Sequence, residues 1–112
     1  MAVYEIPTTV ESPAYEQQSE LDGELYTLEL LWNERDAAWY LSVGDIAGAL
    51  IASGIKLVPN WPLLRKVVDA RRPAGEIMAL DTTGEGLTRD NLGSAVRLIY
   101  IDAESVAEVL GG

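Results

Sequence analysis

From Glu24 to Trp32 the side chains alternate strictly. Tyr26, Leu28, Leu30 and Trp32 share one face of an extended chain, and Leu25, Thr27, Glu29 and Leu31 share the other. A period of two fits a strand and rules out an amphipathic helix over the same residues. Asn33-Glu34-Arg35-Asp36 is a polar loop. From Ala37 to Val43 the alternation resumes, with Ala37, Trp39, Leu41 and Val43 on one face. The two runs predict a β-hairpin with Trp32 and Trp39 near each other across it.

The rest of the chain must be compatible with that hairpin. Val3 to Ile6 is a short β-prone piece stopped by Pro7, and residues 8–13 read as a connection. Tyr15 to Leu21 is a weaker strand, and Asp22-Gly23 is a strong hairpin turn. A turn follows over 44–48. Ala49 to Val58 is a strand with a bulge or bend at Gly54. Pro59-Asn60-Trp61-Pro62 cannot continue a ladder, and Leu63 to Val68 forms one helical turn or stays extended. Residues 71–75 make a turn, Glu76 to Leu80 a short strand, and 81–93 a long loop rich in Thr, Gly, Asp and Asn. Ala95 to Ile101 is the last strand, with Val96, Leu98 and Tyr100 on one face. Ala103 to Leu110 is a helix or a tail with Val106, Val109 and Leu110 as its apolar stripe. The expected fold is mainly β: one small sandwich or barrel of short antiparallel strands with little helix, occupying residues 1–112. An acidic segment over 1–22 and an extension over 102–112 form its margins.

Composition narrows the chemistry. The chain has no Cys and no His, so thiolate and imidazole catalysis, disulfides and imidazole–zinc sites are excluded. The net charge is −10, which argues against nucleic acid as a partner. The charge is also uneven. Residues 1–54 hold ten acids and one Arg, while Lys56 to Arg72 holds five basic residues and one acid. The first residues lack a basic, then apolar, leader, and no run approaches the ~20 apolar residues of a membrane-spanning helix. The expectation is a protein made in the cytoplasm, with no membrane partner, no cofactor and no bound metal.

Candidate sites are few. Thr82-Thr83-Gly84-Glu85-Gly86 is Gly-rich but lacks the Gly-Lys-Ser/Thr ending of a phosphate loop. Asp81, Glu85 and Asp90 could offer oxygens to calcium, but their spacing is not that of an EF-hand, and local capping bonds are the better expectation. Trp32 and Trp39 read as core. Trp61 differs, because it lies on a non-ladder segment beside Pro62, Leu63 and Leu64, with Lys56, Arg65 and Lys66 around them. Apolar residues inside a charged rim have the make-up of an interface, with burial in the same domain as the competing role. A β-sandwich module binding glycan or peptide through Trp61 is the alternative function.

Several segments taken together resemble one family. They are Leu31-Trp32-Asn33-Glu34-Arg35 with Trp39-Tyr40-Leu41-Ser42; Gly54-Ile55-Lys56-Leu57-Val58 with Pro62-Leu63-Leu64-Arg65; Gly75-Glu76-Ile77 with Asp81-Thr82-Thr83-Gly84; and Thr88-Arg89-Asp90-Asn91-Leu92-Gly93 with Val96-Arg97-Leu98-Ile99-Tyr100. In this order and spacing, from about Glu24 to Ile101, they resemble the baseplate plug family of contractile-tailed phages, including cyanophage members. The stretch to Asp22 is only loosely similar. The resemblance implies a structural, non-enzymatic part of the virion tail, at the centre of the baseplate near the hub and the end of the tail tube. Its partners would be hub or spike, tail-tube and wedge proteins, with three or six copies around the tail axis. Arg35 and Arg89 match the family pattern in loops and join the interface candidates. Gly93 is expected to need a positive φ, and Asp90 to bond a local backbone N–H.

Overall fold

The computed structural model describes residues 3–106 and Glu108. The hairpin is its centre. Strands β3 (Glu24–Asn33) and β4 (Ala38–Asp45) pair antiparallel, from Tyr26↔Asp45 to Asn33↔Ala38. Leu28, Leu30, Trp39, Leu41 and Val43 are fully sealed from solvent, as the alternation requires. Trp32 and Trp39 face each other in register, ring centres 5.6 Å apart and edge to face. Ala37 departs from the expectation. It sits in the turn with a φ of +52°, because the Asn33 side chain accepts the Asp36 N–H and moves the turn one residue on.

The other strands, numbered in chain order, are β1 (Val3–Glu5), β2 (Ala14–Leu21), β5 (Leu50–Lys56), β6 (Glu76–Asp81) and β7 (Val96–Ile101). They build two antiparallel sheets, of order β2-β3-β4-β5 and β1-β7-β6. Asp22 and Gly23 both have positive φ, as a two-residue turn between right-twisted strands demands. Ladder irregularities fall between β4 and β5, where Gly54 has a φ of +65°.

The sheets face each other across one core. Leu28, Leu30, Leu41 and Val43 of the larger sheet share it with Ile77, Leu98 and Tyr100 of the smaller. Tyr100 ties one end shut: its hydroxyl donates to Asp22 and accepts the Gly75 N–H, while Asp22 also accepts the Ala103 N–H. Burial, then the Asp22 carboxylate, raise the Tyr100 pKa, so the phenol keeps its proton. A Cβ on Gly75 would stand 2.0 Å from the Ile101 carbonyl, which restricts that position to glycine. At the other end Arg89 lies 5.1 Å from the Trp39 ring centre and donates to the Val10 carbonyl.

Outside the core, Met78, Ile99 and Ile101 pack with Val106 on the far face of the smaller sheet. Asp102 caps the turn that carries Val106 by accepting the Ser105 N–H. The segment over 103–110, expected as a helix or a tail, begins as a turn at 103–105, with Val106 helical. Ala107, Val109 and Leu110 lie outside the described residues.

Trp39→Ala should cost about 3–5 kcal/mol, because it empties a sealed site that neither sheet can collapse to fill. Chemical denaturation of the purified variant measures this. A loss under ~0.5 kcal/mol would contradict the buried position.

Candidate docking groove

Beyond β5 the chain leaves the ladder at Pro59 but does not go unpaired. The Leu57 N–H still donates to the Trp39 carbonyl. The Asn60 and Leu63 N–H groups then donate to Ala79 and Ile77 on the open edge of β6. The segment was expected to be unable to continue a ladder. It forms no ladder, and a single bridge, Pro59↔Ala79, with these two bonds ties it to the other sheet. Asn60 makes the crossing possible. It takes a φ of +60°, and its side chain both donates to the Asp81 carbonyl and accepts the Asp81 N–H.

With Asn60 and Leu63 tied to β6, the side chains between and beside them divide. Leu63 and Leu64 point into the core and are sealed there. Trp61 is left outside, 46% exposed, with the Arg65 guanidinium 5.6 Å from its ring centre. Residues 64–67 close a tight turn. It is held by the Leu64 N–H on the buried Glu76 carboxylate and by Arg72 on the Leu64 and Gly75 carbonyls. Between this segment and β5 lies an open groove of about 500 Å³. Val58, Trp61 and Val68 stand exposed along it, Pro62 is half-buried in its wall, and Lys56, Arg65 and Lys66 form its rim.

Six of the expected interface residues therefore meet in one groove: Lys56, Trp61, Pro62, Leu63, Arg65 and Lys66. The two leucines need correction. Leu63 lines the groove wall but is sealed in this domain's own core, held by its N–H on the Ile77 carbonyl, and Leu64 is sealed with its N–H on the Glu76 carboxylate and does not line the groove. Arg89 is also engaged internally, on Trp39 and Val10. Arg35 is exposed at the β3–β4 turn and does not line the groove.

The basic segment is less available than its count implied. Arg71 grips Asp69 with two nitrogens, holding that carboxyl down to about 2, and Arg72 is used on carbonyls. Lys56 pairs with Asp36 at 3.4 Å, whose carboxyl the Tyr40 hydroxyl and then Lys56 hold below its usual range. Lys66 has no polar partner among the described residues. Sequence reasoning missed Val58, Val67 and Val68 as lining. Their only signal was apolar character on a stretch that Pro59 and Pro62 keep out of a strand.

The other candidates resolve into loop architecture. Asp81 accepts the N–H groups of Thr83, Gly84 and Gly86 and the Thr83 hydroxyl. Its carboxyl is thereby held below the usual range, by the Thr83 hydroxyl first. Among the described residues no group of three acidic side chains stands together to hold a metal. Gly93 has a φ of +95°, as expected. The local bonds expected of Asp90 are made by its neighbour: Asn91 accepts the Thr88 N–H and donates to the Gly86 carbonyl.

A family model described as the cyanophage baseplate Pam3 plug gp18 matches residues 3–104. The chain belongs to this baseplate plug family. The role that goes with it is structural, in the phage baseplate. No curated protein matches the chain in sequence. The plug family match takes in residues 3–22, which the motif set left as loosely similar. These residues are part of the fold: β1 completes the smaller sheet and β2 pairs with β3 from Ala14↔Leu31 to Leu21↔Glu24. The plug match also includes the whole groove.

Asp81→Asn tests the loop. The Asp81 carboxyl is depressed in the folded state. Its stabilisation is therefore full above the ordinary carboxylate range, about pH 4, and is lost as pH falls through the lowered value. The gap in melting temperature between wild type and Asp81→Asn should be widest at neutral pH and narrow towards pH 2–3. A gap that holds constant over that range would show that the charge contributes nothing.

Proposed function

We propose that this chain is the central baseplate plug of a contractile phage tail, seated near the hub and the end of the tail tube. In this reading it works as an assembled part and turns over no substrate. It is made in the host cytoplasm and docks to a neighbouring subunit of the baseplate through the groove of Trp61, Val58 and Val68. The carrying observation is the family match along residues 3–104. The groove adds to it: its exposed apolar residues have a basic rim, the pattern of an interface core and its surround. The rim charges act mainly on association rate and register, and Trp61 supplies most of the affinity.

Purified particles of the encoding phage provide the test. The wild-type chain should be a stoichiometric baseplate component, with density on the tail axis. Its absence from intact particles would sink the plug reading. Trp61→Ala should stay folded, at a cost under ~1 kcal/mol because the ring is half in solvent, yet fail to be incorporated. Normal incorporation of that variant would remove the groove from the assembly and leave the plug role standing.

A further inference from the structure

The groove has a counterpart on the outer face of the same sheet, running from β2 across to the β4–β5 turn. β5 forms one edge of the four-stranded sheet and β2 the other, three strand spacings or about 14 Å away. On the outer face of β2 and β3, Glu16 stands directly across from Glu29, with Glu20 further along β2. Like charges in direct register oppose pairing of the strands that carry them. None of these three carboxylates has a hydrogen-bond or ion-pair partner among the described residues. The short side chains beside them, Thr27 and Ser42, and Gly44, leave a cleft of about 340 Å³ against the β4–β5 turn. Leu25 and Leu31 are about half exposed on the same face.

This surface complements the groove in both charge and apolarity. The cleft holds Glu16 and Glu29 without cations. The groove rim offers Lys66 without a polar partner and Arg65 with only the Trp61 face. Leu31 and Leu25 supply apolar surface for Trp61, Val58 and Val68. We infer that the groove of one copy receives the acidic β2–β3 face of a second copy, with Arg65 and Lys66 entering the Glu16–Glu29 cleft. This deepens the reading of the groove as a docking surface, and rests on it, by naming its occupant. Because groove and cleft are different surfaces, the contact is head to tail. Each added copy leaves one groove and one cleft free until a ring closes.

Charge exchange tests the pairing. Wild-type protein should self-associate in low salt, measured by sedimentation velocity, and dissociate as salt rises. Arg65→Glu/Lys66→Glu loses the groove rim, and Glu16→Gln/Glu29→Gln loses the cleft charge without creating a partner for the altered rim. Each alone should be a folded monomer. Mixed, they retain one intact groove and one intact cleft between them, and should form 1:1 dimers that grow no further. Lys66→Glu and Glu29→Gln, each changing one exposed side chain, repeat the test with the least disturbance to folding. A monomeric wild type, an associating variant, or a mixture that stays monomeric or grows beyond dimers would each overturn the head-to-tail contact. Particle composition, measured separately, tells whether the plug reading fails with it.

Discussion

The side chain of Asn60 stands in for a stretch of strand. It donates to the Asp81 carbonyl and accepts the Asp81 N–H, while its own N–H reaches Ala79. Between Pro59 and Pro62 the backbone has few donors, and a crossing from one sheet to the other would otherwise bury unpaired groups on the open edge of β6. By meeting that edge, Asn60 and Leu63 close the gap between the sheets and seal Leu63 and Leu64. They also force the intervening Trp61 outward. The core on one side and the groove on the other follow from the same few bonds.

Ionic partners are distributed with similar consequence. The basic segment looks on paper like a patch, but Arg71 and Arg72 are used to fix the 64–75 loop, and Lys56 is shared with Asp36. What reaches solvent near the groove is a small set of cations beside an aromatic ring. The acidic half behaves differently. Glu16, Glu20 and Glu29 are left unpaired on a sheet face, two of them in direct register. Unpaired surface charge of one sign favours solubility. At the same time the chain carries a basic groove beside β5 and an acidic cleft on the outer face of the same sheet, two different surfaces, which favours assembly in one direction.

Much of this architecture was legible from the residues. The period-two runs fixed β3, β4 and β7 and their inward faces, because burial on one side of a pleated strand leaves no other pattern. Asp22-Gly23 and Gly93 were legible because positive φ selects residue type. The ordered motifs around Asn33, Pro62, Asp81 and Asn91 identified the plug family, and the structure shows those residues shaping turns. What failed did so for identifiable reasons. Leu63 and Leu64 belong with Trp61 to one apolar run in the sequence, yet the Asn60 and Leu63 N–H groups, bonded to carbonyls of β6, leave Trp61 outside while both leucines are sealed. Arg89 reads in the sequence as a loop cation, although its guanidinium stacks on Trp39, which is near it in space and far from it in sequence.

The sequence by itself therefore determined the strands, their faces, the tight turns, the lack of thiol and imidazole chemistry and the family, since each is written in local pattern or composition. Only the tertiary structure decided which apolar residues of 57–68 are core and which are groove, and which cations remain free. It alone set two acidic strands side by side at the far edge of the groove's own sheet. Those outcomes depend on hydrogen bonds and packing between residues distant in the chain, such as Asn60 with Asp81 and Arg89 with Trp39. A linear pattern carries no record of which distant partner a side chain will meet.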